Sequence, residues 1–446
     1  MPADTQRTLD DLTTLLGRCT SWRDLLRDSM LEKFVALSHD LRSQEYSGSI
    51  PGRTNDADLD IRLQAFQTWL DEQVQATERR FRVQHMGERG NGLVALVDIP
   101  EGTPVLSIPS NLLLSSRLPS ALKHLDQDPL CRQFPSVPLA LHVLYEATLP
   151  SSSFAPYIAV LPRSFHIPLF YTAVDFAALK PSAAFASAVQ LFYNSLRQYI
   201  YLHRLIKPST LPAFSLANYF WALAVVLTRQ NNVPQPDNPH ALALIPGWDM
   251  CNHAAGKMTT YSDGSAIVCD AMQSFTRGDE ITICYGPRHN ADLLVYSGFS
   301  LADNPHDRVP LLLPIDSTDP LVKIRTLLLQ KRQAALSPEG LVIHLDTSGR
   351  VLSQHDRQRV QLLVLDKAQL TAALRQDESQ VAAGELVPWP SPSSKADASS
   401  KIHAACAAQL EKYKETKVDS AAAVVVDYLK NERAIYERAV SHVEFE

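Results

Sequence analysis

The sequence predicts an α+β protein in which one β domain is split by a helical insertion, with helices before it and a mostly helical C-terminal segment after it. Three observations predict this. Apolar residues recur at three- and four-residue spacing before Arg80; short β-branched runs joined by Gly and Pro turns follow; the same β character returns at Ala241 after a long helical stretch. The expected division is a helical segment at 1–80, a β domain at 81–300 with its insertion at about 112–240, and a helical C-terminal domain at 301–446.

Each element has its own reason. "LDDLTTLLGRC" and "WRDLLRDSMLEKFVALSHDL" place Leu and Phe along one helical face, "SGSIPGRTND" interrupts them, and "DIRLQAFQTWLDEQ" resumes the pattern. In "RFRVQHMGERGNGLVALVDIPEGTPVLSIP" the turns "RGNG" and "PEG" separate strand-like runs. Helical periodicity then occupies "VQLFYNSLRQYIYLHRLI" and "LANYFWALAVVLTRQN", and "GSAIVCDAMQSFTRGDEITICYG" reads as strand, turn and strand. Beyond Asn304 the expectation is helix, apart from a "VPLLLP" strand and a flexible linker at 387–400, "VPWPSPSSKADASS".

Composition narrows the function classes. Charged residues are 20% and hydrophobic ones 45%, which excludes a disordered or fibrous chain. The net charge of −6 supplies no general pull toward nucleic acid. No apolar run reaches membrane-spanning length, and the acidic, amphipathic N-terminus is unlike a secretion signal. Six cysteines without a CxxC pair suit a reducing compartment, so the expectation is a cytoplasmic monomer with free thiols, nuclear entry being left open.

The densest cluster of chemistry is "IPGWDMCNH", where an apolar run delivers Trp248, Asp249, Asn252 and His253 within a few positions. Two further motifs flank it, "GERGNGLVALVDIPEG" before and "GDEITICYGPRHNADLLVYSGF" after. Each alone has an ordinary reading: a hairpin turn for "RGNG", a capped helix start for Asn252 and His253, a core tyrosine for Tyr285. Their joint order and spacing resemble the SET-domain methyltransferases with a split SET domain and a helical substrate-binding domain, the group of the plant Rubisco large-subunit lysine methyltransferases.

The resemblance implies S-adenosylmethionine as cofactor, a protein substrate entering from the opposite face, and a narrow channel between them. It implies that Asn252 and His253 hold the cofactor, that Arg229 and Ser297 assist, that Arg53, Arg89 and Asn91 stand at cofactor-contacting positions, that Tyr285 lines the channel as a catalytic residue, and that Arg288 meets the substrate backbone. Asp249 is expected to support the cofactor segment from behind. Asn252 can donate and accept, which suits an amino acid's ammonium and carboxylate. One departure concerns Arg89 and Asn91, where relatives commonly carry an acid and a bulky apolar residue; if that acid bonds a cofactor amine, affinity falls here.

Two positions redirect the target. Rubisco-type enzymes typically have an aromatic residue matching Asn231 and a small one matching Trp248, whereas "TRQNNVP" and "ALIPGWDMCNH" here resemble the animal SET-domain actin-histidine N-methyltransferases. That resemblance implies a histidine of actin as substrate. A lysine ammonium, pKa ~10.4, must lose a proton before attack, whereas histidine, ~6.5, is mostly neutral at neutral pH and already offers a lone pair. Asn231 can then hydrogen-bond one ring nitrogen, catalytically fixing the tautomer, with a backbone carbonyl near Tyr285 as a partner for the other, and Trp248 can wall the ring. A phenylalanine in place of Asn231 would strand a buried polar nitrogen at about 1–3 kcal/mol.

Three rival readings stay open from sequence. Asn231 can be a helix C-cap and Trp248 a core aromatic in a lysine methyltransferase of the same fold. A silent peptide-binding module would keep the fold without transfer. Cys251, His253, Cys269 and Cys284 carry zinc-ligand chemistry without paired spacing, so no metal is expected.

Overall fold

The computed structural model describes residues 2–26, 29–45, 59–76, 78–233, 241–375 and 391–442. The chain divides into two compact units. The first takes Met1–Ala173, Ala186–Pro287 and Val295–Gly298; the second takes Val174–Phe185, Arg288–Leu294 and Phe299–Glu446.

In the first unit, β1 (Phe81–His85), β2 (Asn91–Ala95), β3 (Pro104–Pro109) and β4 (Leu114–Ser115) precede the helical insertion, while β5 (Asn231–Asn232), β6 (Leu242–Leu244), β7 (Thr260–Ser262), β8 (Ala266–Asp270) and β9 (Glu280–Ile281) follow it. They form three antiparallel sheets, ordered β1-β2-β9, β3-β8-β7 and β4-β6-β5. Every sheet therefore joins strands from both sides of the insertion. β1 buries Phe81 and Val83 and exposes Arg82 and Gln84, the period-two pattern of a strand with one wet face. β2 is buried from Gly92 to Ala95, as a central strand must be, and its neighbours pair Phe81 with Ala95 and Ile281 with Leu93.

The insertion ends in the helix Leu216–Arg229. Ser215 caps it by accepting a hydrogen bond from Asn218 N (3.2 Å), and residues from Asn218 to Val226 are buried on all sides. At Gln230 the backbone turns extended and runs straight into β5. This abrupt exit fixes where Arg229 and Asn231 emerge. The N-terminal helices Met30–Glu45 and Leu59–Gln73 dock here too: Glu45 accepts from Tyr199 Oη (2.7 Å) and Leu216 N (2.6 Å), and Arg62 donates to the Ala159 carbonyl (2.6 Å).

The second unit corrects the expectation of a single strand beyond Asn304. β10 (Arg308–Pro314) covers "VPLLLP", and β11 (Ala335–Ser337) and β12 (Gly340–Asp346) complete a β10-β12-β11 sheet. In β12 Leu341, Ile343 and Leu345 are buried alternately, so the period-two signal is present over a short run embedded among helices. The expected linker at 387–400 is also corrected. Residues 387–390 lie outside the described set, but Pro392–Lys414 is a helix in which Ser391 accepts from Ser394 N (3.2 Å) and Pro392 occupies the first turn. A Ser/Pro-rich composition here marks a capped helix start. Among the described residues no helix is long and apolar enough to cross a membrane.

Candidate functional site

The backbone frame is set by one glycine. Gly247 leaves β6 with φ +88° and opens the tight turn Trp248–Met250; a Cβ there would lie 2.8 Å from Leu70 Cδ2. Cys251–His253 then runs beside the Ile283–Tyr285 segment, with Ile283 N donating to the Asn252 carbonyl (3.0 Å) and Ala254 N to the Ile283 carbonyl (3.0 Å). Two stretches more than twenty positions apart in sequence thus present their side chains together.

Behind this frame lies a buried polar group. Arg229 Nη1 donates to the Asp249 carbonyl oxygen (2.7 Å) and stands 3.9 Å from Asp249 Oδ1, while Tyr157 Oη donates to Asp249 Oδ2. Burial raises the Asp249 carboxyl to about 6, against the opposing pull of Arg229 and the Tyr157 hydrogen bond. Among the described residues, Arg229 Nε and Asp249 Oδ1 are buried without a hydrogen-bond partner. Asp249 therefore lies in the interior, behind the Asn252 segment. Tyr157 escaped the sequence reading because "APYIAV" carries only a buried-helix signal.

A second group faces outward from β2 and β9. Asn252 Nδ2 donates to Glu280 Oε1 (2.7 Å), and Arg89 Nη1 pairs with Glu280 Oε2 (2.6 Å). The Glu280 side chain is 14% exposed and that of Arg89 52%. Gly92 makes this approach possible, because a Cβ there would lie 3.1 Å from Glu280 Oε1, 3.3 Å from Asn252 Nδ2 and 2.9 Å from Met86 Cγ. Asn91 is engaged within the protein, its Nδ2 donating to the Val160 carbonyl (3.0 Å) and its Oδ1 3.3 Å from His85 Nδ1. Glu280 was not singled out from sequence; in "RGDEITICYG" it sits beside Asp279, which serves the turn by accepting from Thr276 N and Oγ1.

Tyr285 and His253 lock one another. Tyr285 N–H donates to His253 Nδ1 (3.1 Å), which also lies 3.3 Å from the Ile283 carbonyl oxygen, and the two rings stand 5.1 Å apart at 36°. Tyr285 Oη donates to the Cys251 carbonyl (2.8 Å), and burial pushes its hydroxyl up to about 12, which keeps it neutral.

Asn231 and Trp248 have fixed orientations. Asn231 Nδ2 donates to the Arg229 carbonyl (3.1 Å), a bond only the amide nitrogen can make, so Oδ1 is the group left to accept. Trp248 is 1% exposed, and its Nε1 donates to Thr260 Oγ1 (2.8 Å), which pins the indole plane. Ser297 is half-buried at the end of the helix Asn290–Ser297 in the first unit. Arg288 falls in the second unit, where its carbonyl accepts from Asn304 Nδ2 (2.9 Å). Arg53 lies outside the described residues. No group of three or more His, Cys, Asp or Glu able to hold a metal occurs among the described residues.

The fold is that of the SET domain. The chain superposes on the structure of Rubisco LSMT bound to AdoMet with a TM-score of 0.61, at 19% identity, covering 85% of this chain and 91% of that one. The SET domain of LSMT bound to lysine and AdoHcy gives a TM-score of 0.62 at 18% identity, covering 86% and 91%. The chain thus has the SET-domain fold. Its sequence relatives include the actin-histidine N-methyltransferases of Danio rerio, 36% identical over 258 residues, or 55% of this chain and 43% of that protein, and of Homo sapiens, 35% over 270 residues, or 58% and 45%. The match to that of Canis lupus familiaris reaches 72% of this chain and 56% of the relative at 32% identity. The chain spans about half the length of the curated relatives it matches. No protein-family profile matches it.

Proposed function

We propose that this chain is an S-adenosylmethionine-dependent protein N-methyltransferase that methylates a histidine imidazole nitrogen, with actin as its substrate. The observation that carries the histidine assignment is Asn231: its amide nitrogen is committed to the Arg229 carbonyl, leaving an oxygen that can accept from an imidazole N–H. Actin is supported by the names of the sequence relatives.

The donor set fits the cofactor. Asn252, with an oxygen free to accept opposite the Glu280 contact, suits an ammonium; Gly92 keeps β2 clear of side-chain bulk; and the unpartnered Arg229 Nε and Asp249 Oδ1 place polar capacity behind the same segment. In this reading Asn252, His253, Arg229 and Ser297 hold the cofactor, with Arg53, Arg89 and Asn91 near it and Asp249 buttressing from behind. When bound, S-adenosylmethionine supplies a methyl carbon activated by a sulfonium.

The chain's own task is alignment, since an in-line displacement needs nucleophile, carbon and leaving group on one axis. Asn231 Oδ1 accepts the N–H of one ring nitrogen and so leaves the lone pair on the other. Trp248, held by Thr260, limits rotation of the ring, and Tyr285, a neutral hydroxyl tied to the Cys251 carbonyl, shapes the passage. Arg288 is assigned to the substrate backbone. Transfer leaves an imidazolium, whose N–H proton, the one facing Asn231, departs to solvent. No strong base is required, because the ring enters neutral.

Mass spectrometry of actin after incubation with the full chain and S-adenosylmethionine tests this. A methyl on histidine is the expected product, and methyl on lysine alone overturns the assignment in favour of a lysine N-methyltransferase. Asn231→Phe combined with Trp248→Ala is expected to shift selectivity toward lysine by at least about tenfold, a difference of ~1.4 kcal/mol in transition-state binding.

A further inference from the structure

We propose that Glu280 is a positioning residue for cofactor recognition: it fixes the orientation of the Asn252 amide, and Arg89 holds it in place. The inference rests on the reading that Asn252 holds the amino-acid end of the cofactor.

The chemistry is forced by the contact itself. A carboxylate can only accept, so the Asn252 atom facing Glu280 Oε1 at 2.7 Å must be the nitrogen. The carbonyl oxygen is thereby turned away, and among the described residues it takes part in no hydrogen bond. A free amide flips between two faces of similar energy; this one has a single face. It presents an acceptor, which suits an ammonium and rejects a carboxylate. Glu280 is itself held on both sides: its backbone pairs with Val94 in β2, and its second oxygen is engaged by the Arg89 guanidinium. The bare backbone of Gly92 leaves room for the Glu280–Asn252 contact against β2. Arg89 offsets the carboxylate's charge from the solvent side, so the site gains an oriented dipole with little net charge.

The test separates orientation from folding by using two ligands. S-adenosylhomocysteine carries the amino-acid end, and 5′-methylthioadenosine lacks it. In calorimetry on the full chain, Glu280→Met is expected to weaken S-adenosylhomocysteine by about tenfold while leaving 5′-methylthioadenosine unchanged. Glu280→Gln, which retains an acceptor, is expected to keep the affinity within about threefold, and Glu280→Met should cost nothing further once Asn252 is alanine. Glu280→Ala serves as a second variant if the methionine chain does not fold.

Equal weakening of both ligands, or unchanged S-adenosylhomocysteine binding in Glu280→Met alongside a loss in Asn252→Ala, overturns the role of Glu280. Failure of the underlying site reading looks different: either the unaltered chain does not bind S-adenosylhomocysteine, or Asn252→Ala binds it as well as the unaltered chain does.

Discussion

Asp249 illustrates how a single residue near the site couples burial to pH. Its carboxyl sits at about 6 in the folded chain, above the ~3.9 of an unfolded aspartate. A raised value means that the folded state binds the proton more tightly. The resulting stabilisation is full below ~3.9 and is lost as pH rises through about 6, a change of about 1–3 kcal/mol. Asp249→Asn is expected to lower stability overall, since Arg229 loses its counter-charge, yet to lack this pH slope. Thermal unfolding of both chains from about pH 4 to about pH 7 reads the two effects separately. Parallel slopes would mean that the folded chain does not raise the Asp249 carboxyl above its unfolded value. Nothing in "GWDMC" foretells this, because the shift arises from burial, which depends on how distant segments pack around the carboxyl, while Arg229 and Tyr157, far away in sequence, pull it the other way. Asn231 was different: its amide chemistry was readable from sequence, and only which end of the amide remains available needed coordinates.

At the scale of elements, the turn after β6 does the positioning. Gly247 combines φ +88° with a Cβ position 2.8 Å from Leu70 Cδ2, so an alanine meets both backbone strain and a neighbouring helix. Gly247→Ala is expected to destabilise the chain by about 1–3 kcal/mol in chemical denaturation, with cofactor affinity falling as Asn252 shifts. A variant as stable as the original would show that the turn relaxes without cost. β1, β2, β3, β6, β8 and β9 were legible because β-branched runs alternate between Gly and Pro turns, whereas β4 and β5, two residues each, fall inside the span expected to be helical, and β7 is three exposed residues. β11 and β12 were not, since a three-residue strand and a seven-residue one are easily submerged in flanking helical periodicity. The helix at Pro392–Lys414 was hidden for the opposite reason, its first turn being written in residues that also make linkers.

For the molecule as a whole, the governing fact is that the insertion separates strands that must pair. β2 needs β9, β3 needs β8, and β4 needs β6, each across the insertion. A chain ending at Arg229 keeps the β1–β2 pairing but strands β3 and β4 without neighbours. It is expected to bind a hydrophobic dye and to unfold without a sharp transition; a cooperative urea transition matching the full chain would contradict this. The order β, α, β disclosed the split in the sequence, but which strand meets which did not follow from it, because pairing partners are chosen by burial on both faces and not by proximity along the chain.

The same separation has a consequence during synthesis. A ribosome moving at about 5–20 residues per second takes roughly 10–40 seconds between finishing β2 and delivering β9. For that interval the nascent chain displays an unclaimed, apolar strand edge, the kind of surface that invites association with other unfinished chains. Slowing translation of the insertion would lengthen this window, so yield in a cell should depend on holdase chaperones more than the stability of the finished protein would suggest.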